Sequence, residues 1–477
     1  MTIQKPFRFA VLIINLLCGL LLTASLNAQT TFGPEQIINT FANGAASVYA
    51  IDLDGDDDND VLSASGSDDK IAWHANDGSG SFSAEHIIST NAGGAASVYA
   101  IDLDGDGDND VLSASPGDNK IAWYTNDGGG NFSNEHIISG NAIFAWSVYA
   151  IDIDGDGDND VLSASQVDNK IAWYSNDGSG NFSDQQIIST IAHGAISVHA
   201  IDLDSDGDND VLSASSNDYK IAWYANDGSG NFSAEHIISS NAASASHVYS
   251  IDLDSDGDND VLSASFTGFK IAWYANDGSG NFSAEHIISS NANGALSVYA
   301  IDLDSDGDND VLSASSWSGI IAWYTNDGSG NFSAEQIIST NAIGAVSVYA
   351  IDLDGDGDND VLSASSSDDK IAWYENLLVN VGIAPATNNN TTTNPATQIS
   401  IIPDMPNTLQ IHFTAPQTEA TTVQLYDVMG HLVGSQTFNA IQGINNWQME
   451  MGNYPKGMYL LRVNNHSLSE VLRVIRN

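Results

Sequence analysis

Basic residues are scarce in this chain of 477 residues, where 12 lysines and arginines face 62 aspartates and glutamates for a formal net charge of -50. A surface of that sign repels nucleic acid and anionic membranes, which excludes both as partners. Cysteine is scarcer still. The single cysteine, Cys18, lies in an apolar N-terminal run, so the chain beyond it has no disulfide to draw on. A large exported protein in that position is held by its core, by metal, or by both. Past Leu22 no apolar stretch is long enough to cross a bilayer, so no transmembrane span is expected. Disorder does not follow from these absences, because the hydrophobic fraction of 42% is ordinary for a protein that buries real cores.

Residues 1–28 read as a signal peptide. Lys5 and Arg8 precede the apolar run from Phe9 to Leu22, and Leu26-Asn27-Ala28 offers a cleavage site.

Beyond it the chain repeats. The segment Ser-Val-Tyr-Ala-Ile-Asp-Leu-Asp-Gly-Asp-Gly-Asp-Asn-Asp-Val-Leu-Ser-Ala-Ser recurs with small changes from Ser47, Ser97, Ser147, Ser197, His247, Ser297 and Ser347, at a constant period of 50. Each period holds four short β runs, in the second copy Val98 to Leu103, Asp110 to Ser115, Lys120 to Asn126 and Phe132 to Ser139, bounded by turn chemistry. Four strands per period is the signature of a propeller blade, whereas α-repeats would show a 3.6 period. The last copy, from Val348 to Asn376, lacks a fourth strand, and Phe32 to Ile38 reads as a fourth strand with no blade before it. The two ends complete a seventh blade and leave no sheet open at the seam. Pro34 suits an outermost strand, where a missing N–H costs no ladder bond. The recurring tryptophans, from Trp73 to Trp373, are expected as packing between blades.

Between the first and second strands lies Asp102-Leu-Asp104-Gly-Asp106-Gly107-Asp108-Asn-Asp110. Carboxylates at positions 1, 3, 5 and 9, a carbonyl at position 7 and glycine at position 6 supply the hard oxygen ligands that calcium prefers. An EF-hand is excluded, because position 12 is Ser113 and strands flank the loop. The candidate metal residues of the first three copies are Asp52, Asp54, Asp56, Asp58 and Asp60; Asp102, Asp104, Asp106, Asp108 and Asp110; and Asp152, Asp154, Asp156, Asp158 and Asp160. Those of the next two are Asp202, Asp204, Asp206, Asp208 and Asp210, and Asp252, Asp254, Asp256, Asp258 and Asp260. The last two copies give Asp302, Asp304, Asp306, Asp308 and Asp310, and Asp352, Asp354, Asp356, Asp358 and Asp360. Up to seven Ca2+ ions are expected, one per blade. Asp57 at position 6 is expected to weaken the first site, and Ser205, Ser255 and Ser305 at position 4 are expected to leave ligation unchanged.

The loop Asp102 to Asp110, followed by Asn126-Asp-Gly and Phe132, resembles FG-GAP/VCBS repeats, the units of the integrin α-subunit propeller. The resemblance implies an all-β, seven-bladed propeller with calcium on one rim and, in the integrin case, ligands on the opposite face.

Antiparallel strands put the calcium loop and the Asn-Asp-Gly turn on one rim, where the copies are nearly identical. The joints on the other rim vary. There Phe144, Trp146, His193, Tyr219, Phe266, Phe269 and Trp317 stand out as a candidate face for an extracellular glycan or protein ligand. Variation among duplicated blades with no ligand is the competing reading. A carbohydrate-active enzyme, a lyase or hydrolase on a propeller scaffold, is the alternative class. Constant repeat length and the lack of a Gly-x-Ser-x-Gly or His-Glu-x-x-His motif argue for binding without catalysis. His86, His136, His236 and His286 recur with the duplication and read as surface residues.

The expected organisation is a signal peptide at 1–28, the propeller at 31–378, a polar linker at 379–398 and a small β-sandwich at 399–477. In the last, Tyr426-Asp-Val-Met-Gly430, Tyr454-Pro-Lys-Gly-Met-Tyr459 and the strand Val471 to Arg476 resemble the type A sorting domain of type IX secretion, found in Bacteroidota. That resemblance implies the type IX machinery as a partner and a secreted or outer-membrane surface location.

Overall fold

The computed structural model describes residues 32–377 and, beyond them, 399–405, 408–415, 418–427, 432–441, 443–450, 457–464 and 469–476. The expected signal peptide at 1–28 and the linker at 379–398 lie outside the described residues.

Between residues 36 and 374 the chain forms seven four-stranded antiparallel sheets, and no helix occurs among the described residues. In the second blade the strands are Ser97–Ile101, Asp110–Ser115, Lys120–Tyr124 and His136–Ser139. The first and third end earlier than their apolar runs, and for a local reason. Asp102 turns its side chain onto its own loop, and the Ser133 hydroxyl accepts the Thr125 N–H at 2.9 Å, which leaves Asn126 and Phe132 joined only by an isolated bridge. The seventh blade is made of Ala345–Ile351, Asp360–Ser365 and Lys370–Tyr374, with Gln36–Asn39 as its fourth strand in the register Gln36↔Trp373.

Hydrogen bonds run from each blade to its neighbour. Asn126 Nδ2 donates to the Leu53 carbonyl at 2.8 Å, and Asn109 Nδ2 to the Asp52 carbonyl at 2.8 Å. The same pair joins the first blade to the seventh, through Asn76 to Leu353 O at 2.7 Å and Asn59 to Asp352 O at 2.9 Å.

The second strand of every blade, Asp-Val-Leu-Ser-Ala-Ser, is buried along its whole length between its two neighbours, its polar Asp and Ser residues included. The cores lie between blades. Trp123 packs with Ala145, Val148, Val161 and Tyr174 of the third blade, and its ring meets Phe182 edge-on at 5.9 Å. Six of the seven tryptophans reach under a glycine of the following blade, as Trp123 does beneath Gly180 at φ +71, and Trp323 packs edge-on against Phe32. The strand-four histidines are exposed, and His86 stacks on Trp73 at 4.9 Å.

Residues 399–476 form two further antiparallel sheets, one of Ile399–Met405, Thr408–Ala415 and Gly443–Glu450, the other of Leu432–Ala440, Glu419–Asp427, Gly457–Asn464 and Ser469–Arg476.

A methyl group at Gly180 would enter the Trp123 ring and hold a side chain at positive φ, whereas Gly129 has ordinary φ and only distant neighbours. Gly180→Ala is expected to lower stability by roughly 2–4 kcal/mol, and Gly129→Ala by less than about 0.5 kcal/mol, measured by urea unfolding.

Candidate metal centres and the opposite rim

Each aspartate loop is folded by its own carboxylates. Asp102 Oδ1 accepts the Gly105 N–H at 2.7 Å and Oδ2 the Gly107 N–H at 3.0 Å, while Asp106 Oδ1 accepts the Asp108 N–H at 3.0 Å. Asp110 is fully buried. Its Oδ2 accepts from Leu103 N at 2.9 Å and its Oδ1 from Asn126 N at 2.8 Å.

This folding gathers positions 1, 3 and 9. In the first, second, third and fifth blades oxygens of Asp52, Asp54 and Asp60, of Asp102, Asp104 and Asp110, of Asp152, Asp154 and Asp160, and of Asp252, Asp254 and Asp260 lie within 4.8 Å of one another. The fourth blade gathers Asp202, Asp204 and Asp206. At position 3, Oδ1 of Asp54, Asp104, Asp154, Asp204 and Asp254 is buried with no hydrogen-bond donor. An orphaned buried carboxylate oxygen costs about 1–3 kcal/mol, and a cation among these oxygens would remove that cost. The residues therefore fit a metal ion, and the repeated groups can hold one.

Position 7 differs from a side-chain ligand. The carboxylates of Asp58, Asp108, Asp158, Asp208, Asp258 and Asp308 turn onto the glycine of the neighbouring Asn-Asp-Gly turn, from Gly78 to Gly328, and so only the main chain there is left to face an ion. In the seventh blade Asp358 has no such glycine, and both its oxygens are buried without donors.

Backbone strain marks the departures within the loops. Asp57 takes φ 71 where the other blades have glycine near 97. Position 4 is also left-handed, so Ser205, Ser255 and Ser305 sit at φ 61, 62 and 57, a strain invisible when the residues are judged only as ligands.

Burial, with help from the neighbouring carboxylates, pushes Asp60, Asp110, Asp160, Asp210, Asp260 and Asp360 up to about 7 and Asp310 to about 8. No protein cation offsets them. The six lysines from Lys70 to Lys370 are the only basic residues of 32–377, and all pair with other carboxylates, as Lys120 does with Asp118 at 2.9 Å and with Glu135.

On the opposite rim the seven candidate residues fall into three groups. Trp317, 60% exposed, leans on Phe266 at 4.8 Å and Phe269 at 5.4 Å. Phe144 stacks on Trp146 at 5.7 Å, and Trp146 lines the axial mouth with Ile196, Leu296 and Val346. His193 lines a groove with Gln166, Val167, Asn169 and Asn217, and Tyr219 is 47% exposed. Phe144, Tyr219 and Phe269 share a feature the sequence hides, for all three are left-handed, at φ 61, 62 and 55. Sequence reading also passed over His199, where the other copies carry tyrosine. That single break in a sevenfold pattern was the available signal.

An FG-GAP-like repeat model matches residues 52–113, 102–163, 152–213, 202–263, 252–313 and 302–363, and a secretion system C-terminal sorting domain matches 405–477. The sorting domain marks export by type IX secretion to the cell surface or the extracellular space, and with it contact with that machinery. Among curated proteins none matches. Similar solved structures include a lectin of Agrocybe aegerita that recognises non-reducing terminal N-acetylglucosamine, with 18% identity, 62% of this chain and 80% of that chain covered, and TM-score 0.46. A Photorhabdus luminescens Tc holotoxin pore gives 13%, 77%, 19% and 0.35, and a V. cholerae biofilm matrix protein 14%, 79%, 65% and 0.31. At these TM-scores the likeness carries no further argument.

A carboxyl whose folded pKa is raised stabilises the fold below its unfolded value near 4, and that stability is lost as pH rises through the folded value. The metal-free protein is therefore expected to lose stability from about pH 5 to about pH 8, while bound metal, which favours the ionised form, flattens or reverses the trend. Urea midpoints across that range, with and without chelator, measure it.

Proposed function

Because the chain belongs to the FG-GAP-like repeat family and carries a sorting domain for type IX secretion, we propose that it is an exported binding or adhesion module, not an enzyme. In this reading the aspartate loops hold calcium, and the opposite rim takes an extracellular glycan or protein.

Calcium is favoured over other ions by the donor set. The candidate ligands are hard oxygens, gathered at positions 1, 3 and 9 in four blades and at 1, 3 and 5 in the fourth, and no imidazole or thiolate enters these five groups. Magnesium would demand a stricter octahedron and keep its waters.

The observation that carries the binding reading is strain on the variable rim. In four blades the position of Tyr219 and Phe269 is Asp69, Asn119, Asn169 or Asp369, which takes positive φ readily and accepts the N–H of the next joint, as Asn119 Oδ1 does from Phe144 at 2.8 Å. Tyr219 and Phe269 have no such acceptor beside the main chain. An aromatic side chain there costs about 1–2 kcal/mol of strain and forgoes a cross-blade hydrogen bond. Strain kept at Tyr219, which is exposed, and at Phe269, half-buried against the exposed Trp317, is a mark of a working surface. Flat rings beside hydroxyl and amide groups suit sugars, which stack on aromatic faces, and the acidic surface selects against polyanions.

Two outcomes are expected. With affinities of about 10⁻⁴ M, calcium at ~1 mM stabilises each loop by about 1.4 kcal/mol, and seven loops by on the order of 10 kcal/mol. Chelator should lower the melting temperature steeply, and an unmoved melting curve would count against calcium. On a glycan array, Trp317→Ala and Tyr219→Asn should weaken the bound ligand at least about tenfold, while Tyr219→Asn raises stability by about 1–2 kcal/mol. Undiminished binding by both variants would defeat the reading.

A further inference from the structure

The seventh aspartate loop departs from the other six in two side chains, and both departures come from the seam of the ring. The third strand of that blade runs out through Glu375-Asn376-Leu377-Leu378, where the other six copies have Asn-Asp-Gly after alanine, serine or threonine. Elsewhere the position 7 carboxylate lies against the glycine of that turn, as Asp308 does against Gly328, and in the seventh copy the corresponding residue is Leu378.

Asp358 is accordingly placed otherwise than its counterparts. They are half-buried, whereas Asp358 is 2% exposed and neither of its oxygens has a hydrogen-bond donor. Its main-chain N–H donates to Asp356 Oδ1 at 3.1 Å, and its carboxyl lies against the carboxyl of Asp356. Position 5, where Asp356 stands, is one of the gathered positions in the fourth blade. Burial, with Asp356 and Asp360 beside it, pushes Asp358 up to about 8. A carboxyl in that state is relieved by a proton or by a cation.

Glu375 is the second departure. A side chain at its position reaches position 3 of the loop, since Ser175 Oγ donates to Asp154 Oδ2 at 3.3 Å. Glu375 brings a carboxylate to that place, and it adds to the burial and the Asp356 charge that raise Asp354. The lysine of this blade does not offset it, because Lys370 pairs with Glu35 and Asp368.

We propose that the seventh loop is the tightest calcium site of the ring, with the Asp358 carboxylate as an added ligand and Glu375 as an added charge beside it. The ranking rests on calcium binding by the loops. Calcium affinity rises with the number of charged ligands and with the rigidity of the site. Six loops bring the carboxylates of positions 1, 3, 5 and 9, and the seventh adds two more.

Calcium is titrated into the chelator-stripped full chain in competition with a chromophoric calcium chelator. One equivalent should bind at least about tenfold more tightly than the rest. Asp358→Asn should bring that equivalent down to the weaker class. Asp308→Asn, at the same position of the sixth blade, should leave it in place, and Glu375→Ala, which installs the residue of Ala75, Ala225 and Ala275, should weaken it. A tight equivalent that survives Asp358→Asn, or that Asp308→Asn also removes, overturns the proposal. Calcium bound as a single class of equal sites overturns it too but leaves calcium binding by the loops standing, whereas no bound calcium overturns both. If Asp358→Asn fails to fold, Glu375→Ala decides alone, and an unchanged tight equivalent in that protein overturns the proposal.

Discussion

One buried carboxylate in each blade joins everything else. Asp110 and its counterparts are wholly out of water, and their two oxygens accept main-chain N–H groups from the start of the loop and the end of the third strand. The residue held at that strand end is Asn126, whose side chain then donates to the preceding blade. The loop, the sheet and the contact between blades are thus one hydrogen-bonded chain. It runs through a group that carries a charge at neutral pH only at a cost, since burial has raised its pKa to about 7. A cation beside it turns that cost into an attraction, so occupancy of the loop and closure of the ring depend on the same oxygen atoms.

The distribution of the few positive charges follows from this arrangement. Every lysine of the propeller projects among carboxylates away from the aspartate loops, as Lys70 does between Asp68 and Glu85. These pairs are largely buried, so breaking one would strand a charge. The loops are left as the uncompensated half of the molecule. Protonation of the buried aspartates or a cation among their oxygens would relieve that excess.

Much of this was legible in the linear repeat, because the relevant contacts recur at fixed offsets. The aspartate spacing, the apolar second strand and the lone strand before the first blade are all periodic, and the pairing of Gln36–Asn39 with Lys370–Tyr374 follows from counting strands. What escaped is what periodicity does not encode. Residue type says nothing of φ, so the strain at Ser205 or Tyr219 was hidden. Ligand spacing does not reveal that Asp108 turns onto Gly128. His199 and His247 are 48 positions apart in the chain and line one channel only because blades stand side by side around an axis.

The division between repeated and unrepeated residues also has an energetic basis. Closure is secured seven times over by the asparagine bonds and the interblade tryptophans, and no single blade has to carry it. A blade can therefore hold an aromatic residue in a left-handed turn, or a histidine in place of a serine, at about 1–2 kcal/mol, without opening the ring. Left-handed residues other than glycine occur in the loops too, at Asp57, Ser205, Ser255 and Ser305, but among the described residues the aromatic ones, Phe144, Tyr219 and Phe269, all lie on the variable rim. The constant part of each blade builds the hydrogen-bonded frame, and that frame is what makes the strained and asymmetric part affordable in free energy.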